Sequence, residues 1–225
     1  MAAGEEYVAA ITALESDRGA RRAFQDLALE LAPPGTALFD FGAGPGIDAK
    51  HYAARGRKVL AYDVDSRMCA AFVRHCRDEI AAGQIELHQG GYREFLEVTS
   101  RKLRQLNEIT LVTANFAPLS LIDDPAELFA VLRALTVPNA KFLASVLNPV
   151  FSGDLKYRWW WRNRFSYWRD GEFKVKGEPF SIFRRSIRRL ATLAAPHFAL
   201  QSVTPSSGSR LPMSSRYIFL LFARM

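Results

Sequence analysis

Three glycines at alternate positions, Gly42, Gly44 and Gly46, follow the apolar run Ala37-Leu38-Phe39-Asp40-Phe41 and precede an amphipathic run from Ile47. Glycine lets the chain turn sharply and lets a ligand lie against bare backbone. A helix starting just after such a turn offers unpaired N–H groups to a ligand's polar end. Asp63 ends the next apolar run, Val59-Leu60-Ala61-Tyr62-Asp63. A carboxylate there can accept hydrogen bonds from vicinal ribose hydroxyls. The chemistry indicated is recognition of a nucleoside-bearing cofactor, and Asp63 alone does not say which. The glycine spacing narrows the choice. A dinucleotide fingerprint, G-x-G-x-x-G, places its last glycine three after the second. Ile47 stands at that position, and Pro45 and Asp48 add no phosphate-binding character.

Other reactive residue types form no such pattern. Asp48 reads equally as a helix first-turn acid favouring the dipole and as a cofactor contact. His51 and Tyr52 read as packing or surface residues. His75, His88 and His197 are scattered without metal-ligand spacing, so no metal is expected. No G-x-S-x-G elbow is present, which argues against a serine hydrolase.

The elements that must position these groups alternate. Residues 19–32 read as a helix stopped by Pro33-Pro34-Gly35. Then come a strand at 37–41, a helix at 47–55, a strand at 58–63, a helix at 66–82 and a strand at 85–88. A helix near 93–105, a strand at 109–114, a helix at 124–135 and a strand at 141–146 follow. Such alternation predicts βαβ units, a mostly parallel sheet and helices on both faces. A helix near 182–195 and strands at 198–204 and 216–222 close the chain. The turn-rich Pro205-Ser206-Ser207-Gly208-Ser209 lets those strands pair as an antiparallel hairpin.

The chain has 225 residues, of which 49% are hydrophobic, which suits one α/β domain over 1–225 with an N-terminal helical region at 1–32. No apolar run reaches the roughly 20 residues of a membrane span. No signal peptide is visible at the start. Cys69 and Cys76, the only cysteines, read as reduced thiols, which favours the cytoplasm.

Asp40-Phe41-Gly42-Ala43-Gly44-Pro45-Gly46 resembles the first motif of class I, Rossmann-like S-adenosylmethionine-dependent methyltransferases. The longer match runs through Gly46-Ile47-Asp48-Ala49, Ala54-Arg55-Gly56, Val59, Asp63, Ser66 and Met68. It is similar to the small-molecule branch related to ubiquinone/menaquinone-type methyltransferases. Asn115-Phe116-Ala117-Pro118-Leu119-Ser120 resembles that branch's segment after the fourth strand. The resemblance implies a seven-stranded sheet with its last strand antiparallel, and S-adenosyl-L-methionine as cofactor. Gly42, Gly44 and Gly46, with Ala43 between them, would pass the methionine moiety. Asp40 would hold the turn or the cofactor's amino group, and Asp63 the ribose. Val64 or Met68 would meet the adenine, and Asn115 and Phe116 the methionine end. The family often has Gly-Asp after the third strand. Here Gly90 is followed by Gly91 and Tyr92, so the adenine contact is lost or becomes stacking on Tyr92.

Charge sets one segment apart. Net charge is +7, and Asp154 to Arg189 holds 11 Lys or Arg against 4 Asp or Glu, an excess of 11 − 4 = +7. All four tryptophans fall there too, at 159, 160, 161 and 168. Trp161, Phe165 and Trp168 share one helical face. Three readings stay open for residues 151–181: a lid helix packed on the core, an acceptor pocket, or a surface for membrane or nucleic acid. Tyr157, Trp159, Trp161 and Arg162 are the expected acceptor contacts, for an acidic or hydrophobic small molecule. Arg184, Arg185, Arg188 and Arg189 read as a helical face, either solvated or holding an anion. No catalytic base stands out among Tyr92, His51 and Tyr157. RNA or protein methylation and silent cofactor binding are the rival functions, with nucleic acid the weaker partner class.

Overall fold

Helix α1, Glu15–Leu31, buries Ala20, Phe24 and Ala28, spaced four apart on one stripe. Pro33 cannot continue the helix, and the chain turns into strand β1, Ala37–Phe41. This computed structural model describes residues 15–95, 97, 109–176, 181–207 and 212–225. The start of the expected N-terminal region, most of the expected helix near 93–105, and part of the loop before the last strand lie outside the described residues.

The elements then follow in order: α2 (Ile47–Ala53), β2 (Lys58–Asp63), α3 (Ser66–His75), α4 (Arg77–Ala81), β3 (Ile85–Gln89), α5 (Tyr92–Glu94) and β4 (Ile109–Ala114). After them come α6 (Pro125–Leu135), β5 (Thr136–Leu147), α7 (Arg158–Asp170), β6 (Glu172–Val175), β7 (Ile182–Arg185), α8 (Ile187–Ala194), β8 (Phe198–Pro205) and β9 (Tyr217–Arg224). Local chemistry sets several boundaries. The Asp65 carboxylate caps α3 by accepting from the Arg67 N–H, and Asp124 caps α6 by accepting from Ala126. Gly171, at φ 73°, ends α7.

Seven strands form one sheet in the order β3-β2-β1-β4-β5-β9-β8. Pairings from β3 through β5 are parallel, and β9 runs antiparallel between β5 and β8, from Lys141↔Ala223 to Leu147↔Tyr217. This is the Rossmann-like α/β sheet implied by the resemblance. Each sheet face buries its own core. Phe39, Phe129, Phe142, Phe198 and Phe222 lie on one side, and Phe24, Leu38, Tyr52, Phe72 and Phe219 on the other. Strands covered on both faces read as unbroken apolar runs. Strand order reverses between β1 and β4, so a crevice opens beyond their C-terminal ends.

Two expectations are corrected. The helix expected over 66–82 breaks at Cys76, where φ is −105° and ψ 23°. The helix expected near 182–195 begins only at Ile187, because the Ser186 hydroxyl caps it by accepting from the Arg189 N–H. Residues 182–185 instead form β7, which pairs antiparallel with β6 in a separate two-stranded sheet. No helix among the described residues is long and apolar enough to cross a membrane.

Candidate active site

The three glycines of the β1–α2 turn are there for three different reasons. At Gly42, φ +71°, a Cβ would stand 2.7 Å from Pro118 Cγ, so the segment after β4 can close in only on bare backbone. At Gly46, φ +84°, a Cβ would meet Cys76 Sγ at 2.7 Å and Phe72 at 2.8 Å, where α3 packs on the turn. At Gly44, φ +55°, an added Cβ would meet nothing within 4 Å, and the residue faces open space in the crevice. The turn is tied to β2 through Gly42 and Ala43, whose N–H groups both donate to the Tyr62 carbonyl, at 2.8 and 2.9 Å.

Asp63 holds the turn from the other side. Its Oδ2 accepts from the Gly44 N–H at 2.7 Å and its Oδ1 from the Asp65 N–H at 2.9 Å. Burial raises its pKa, and these backbone donors oppose the rise.

Asp48, on α2, is a buried hub rather than a simple first-turn acid. It accepts from Arg21 Nη1 at 2.6 Å, Gln25 Nε2 at 2.7 Å and Asn115 Nδ2 at 3.0 Å. It therefore ties α1 and α2 to the end of β4. The Asn115 Oδ1 in turn accepts from the Phe116 N–H at 2.9 Å. Phe116 and Ala117 both hold positive φ, 58° and 66°. Left-handed conformation costs a non-glycine residue about 1–2 kcal/mol, so this strained turn is maintained by its surroundings. The Arg21 guanidinium lies 4.3 Å over the Phe116 ring.

Asp40 sits on β1 behind the turn. Its Oδ1 accepts from the Thr113 hydroxyl at 2.8 Å, while Oδ2 is buried without a partner among the described residues. Burial first, then the neighbouring Asp48, raises its pKa from the ordinary 3.8 to about 7. An acid whose folded pKa lies above its unfolded one lowers stability as pH climbs from about 4 to about 7, and the loss is constant above that. Asp40→Asn should remove the loss, stabilising the protein by on the order of 2 kcal/mol at pH 8 with almost no effect at pH 4. Thermal midpoints of both proteins across that range check this, and parallel pH profiles would count against it.

Two cavities flank this construction. The first, about 550 Å³, is the crevice itself. Gly42, Gly44, Asp63, Val64, Met68, Tyr92, Asn115 and Phe116 line it, while Asp40, Ala43, Gly46 and Gly91 do not. Among the described residues its walls include five carboxylates, Asp63, Asp65, Asp123, Asp124 and Glu127, against one arginine, Arg93. The Tyr92 hydroxyl is buried without a partner among the described residues, and burial followed by Glu127 raises its pKa, which makes it a poor base. The second cavity, about 890 Å³, lies among α1, the segment after β5, β7 and the β8–β9 connection. Phe116 lines the first cavity and Tyr217 the second, and their rings meet edge to face at 5.2 Å.

Adjacent arginines on β7 serve the two cavities. Arg184 donates to the Asn148 carbonyl at 2.9 Å and pairs with Asp154 at 3.0 Å beside the second cavity. Arg185 donates to the Leu119 and Asp123 carbonyls at 3.0 and 2.9 Å, pinning a wall of the first. Both are buried, contrary to the expected helical face, because β7 replaces the helix there. Arg188 and Arg189 are exposed on α8.

Of the expected acceptor contacts, Tyr157 lines the second cavity. Trp159 stacks on Tyr157 at 6.0 Å and lies 6.1 Å from Phe173. Trp161 and Arg162 line neither cavity. Helix α7 turns Trp159, Trp160, Asn163 and Tyr167 inward, and residues 161, 162, 165 and 168 face solvent. The packing of Trp161, Phe165 and Trp168 onto the core is therefore not found. His51 also lines neither cavity. Burial and the Arg55 guanidinium hold its pKa down.

Sequence reasoning missed Arg21, Gln25 and the acids at 123, 124 and 127. One signal was available for the first two. Arg21 and Gln25 are polar and four apart, flanking Phe24 on an amphipathic helix.

A family profile described as a methyltransferase domain matches residues 15–194. A search of curated protein sequences finds no match. Among solved structures, an S-adenosylmethionine dependent methyltransferase from Mesorhizobium loti is 16% identical, with TM-score 0.62, covering 90% of this chain and 96% of its own. The 1,6-didemethyltoxoflavin-N1-methyltransferase of Burkholderia thailandensis, solved with 1,6-didemethyltoxoflavin and S-adenosylhomocysteine, is 15% identical, with TM-score 0.62 and coverage of 99% and 87%. The geranyl diphosphate C-methyltransferase of Streptomyces coelicolor A3(2) is 14% identical, with TM-score 0.64 and coverage of 98% and 84%. At these identities the likeness is one of fold. The profile spans most of the chain, and the chain belongs to the methyltransferase-domain family.

Proposed function

We propose that this protein binds S-adenosyl-L-methionine in the 550 Å³ crevice and transfers its methyl group to a small molecule held in the second cavity. One observation carries the reading: five carboxylates against one arginine, among the described residues, around a bare glycine turn. Such walls repel a dinucleotide's pyrophosphate and favour a cation that carries a sulfonium and an ammonium. Gly44 leaves room for close approach. Asp63 faces the ribose, with lone pairs left after its two backbone bonds. Val64, Met68 and Tyr92 surround the adenine, and Asn115 and Phe116 the methionine end.

When bound, the cofactor supplies an electrophilic methyl whose bond to sulfur breaks as the bond to the acceptor forms, with the sulfur keeping the electron pair. The chain's part is alignment and exclusion of water. Phe116, at the boundary of the two cavities, is where acceptor and methyl would meet. The second cavity sets Lys156, Arg184 and Arg216 against Asp17 and Asp154, which suits an acceptor with an acidic group on an apolar body. The structural neighbours from Burkholderia and Streptomyces act on small molecules of different kinds. Cys69 and Cys76 are free and buried, which fits a cytoplasmic enzyme.

Calorimetry tests the cofactor. S-adenosylmethionine and its demethylated product should bind one to one, and tight NAD binding without them would end the reading. Labelled cofactor and a cell extract then identify the acceptor through the labelled product. Asp63→Ala should weaken cofactor binding by about 1–3 kcal/mol, the cost of stranding partners of a charged hydrogen bond. An unchanged affinity would move the ribose site elsewhere.

A further inference from the structure

The solvent face of α7 has an unusual composition. Arg158, Trp161, Arg162, Phe165, Trp168 and Arg169 are its exposed side chains together with Asp170. Their spacing places the six on one stripe of the helix. Trp161 is 48% exposed, Phe165 62% and Trp168 69%, high values for the largest apolar side chains. A contiguous apolar patch left in water marks a contact surface. The helix as a whole carries four arginines, counting Arg164, and one acid, Asp170, which Arg169 holds at 2.8 Å.

We infer that this face docks on the surface of a bilayer rich in anionic lipid. Tryptophan and phenylalanine favour the boundary between headgroups and acyl chains, and flanking arginines bind the phosphates of anionic headgroups. At 13 residues the helix is about 20 Å long, suited to lying in the interface and too short to span. Its inner face is anchored, with Trp160 Nε1 donating to the Pro149 carbonyl at 3.1 Å and Trp159 packed by Phe173. The outer face therefore arrives preformed.

Other partners fit less well. Single-stranded nucleic acid stacks bases on open ring faces. Here Phe165 meets Trp168 edge to face at 5.9 Å, and the Arg164 guanidinium covers Phe165 at 4.4 Å. A second copy would bring two arginine-rich faces together. The inference stands apart from the methyl-transfer reading, since neither Phe165 nor Trp168 lines a cavity.

Sedimentation with vesicles tests it, comparing phosphatidylcholine alone with phosphatidylcholine containing phosphatidylglycerol. The wild-type protein should pellet with the anionic vesicles, with a blue shift of tryptophan emission and quenching by brominated acyl chains. The double variant Phe165→Ser, Trp168→Ser should lose at least about tenfold in vesicle affinity. Its circular dichroism should stay unchanged. Arg158→Gln with Arg169→Gln should weaken binding and flatten its salt dependence. The inference is overturned if the wild type ignores anionic vesicles, or if the folded aromatic variant binds them equally. Binding of a single-stranded oligonucleotide in place of vesicles through the same residues would also overturn it. So would self-association in place of vesicle binding, abolished by the aromatic variant.

Discussion

Asp48→Ala should lower the free energy of unfolding by about 3–5 kcal/mol, the cost of leaving a buried cation without its partner. Arg21, only 14% exposed at its side chain, pairs with this carboxylate, and Gln25 and Asn115 use its remaining acceptor sites. All three donors would lose their acceptor at once. The damage would extend to the strained Phe116–Ala117 turn, since the Asp48 bond orients Asn115 and Asn115 anchors the Phe116 N–H. Cofactor affinity should therefore fall along with stability. Denaturant midpoints and calorimetry measure the two effects. Asp48→Asn, which keeps an acceptor oxygen but loses the charge, should lie between wild type and alanine. A loss below about 1 kcal/mol for Asp48→Ala would mean that solvent replaces the hub.

Gly44→Ala and Gly46→Ala should fail in opposite ways, although they lie two residues apart in one turn. At Gly46 the new methyl would stand 2.7 Å from Cys76 Sγ and 2.8 Å from the Phe72 ring. Overpacking and left-handed strain together should cost roughly 3–5 kcal/mol of stability. At Gly44 the methyl meets no protein atom, so strain alone remains, about 1–2 kcal/mol. That methyl points into the space assigned to the cofactor, and affinity should fall by about tenfold to a hundredfold, or 1.4–2.8 kcal/mol. The check is a melting curve and a binding isotherm for each variant. If Gly44→Ala binds normally, the crevice is not where the cofactor lies.

The sheet was legible because both of its faces are covered. Strands β1, β2 and β4 appear in the sequence as apolar runs of matching length, bounded by glycine, proline or charge. The glycine turn and Asp63 were legible because their chemistry is local: a tight turn, and an acid at a strand end. Residues 182–195 were misread because a basic run of two dipeptides separated by Ser186 and Ile187 has helical spacing. The seryl cap and the pairing of β6 with β7 settle the structure there, and the pairing is a tertiary fact. Trp161, Phe165 and Trp168 do share one helical face as expected, but periodicity does not say which way a face points, and this one faces solvent rather than the core. The Asp48 hub was hidden for a similar reason. Its partners, Arg21, Gln25 and Asn115, come from elements far apart in sequence.

Strand β7 has a further consequence. Neighbouring residues of a strand send their side chains to opposite sides, so Arg184 lines the second cavity while Arg185 holds carbonyls at the wall of the first. A ligand that shifts the Leu119–Asp123 wall would pull on Arg185, and through the shared backbone on Arg184 at the other cavity. Linkage makes such a cross-effect mutual. If occupying one cavity raises affinity at the other by some factor, the reverse factor is the same. Binding in either order then reaches the same filled state, and β7 would work as a rocker between the two loads. Arg185→Lys, which keeps the charge but loses the fork across two carbonyls, should bring that factor toward one. Affinities for one ligand, measured with and without the other, would reveal it, and an unaltered factor would show that β7 is not the link.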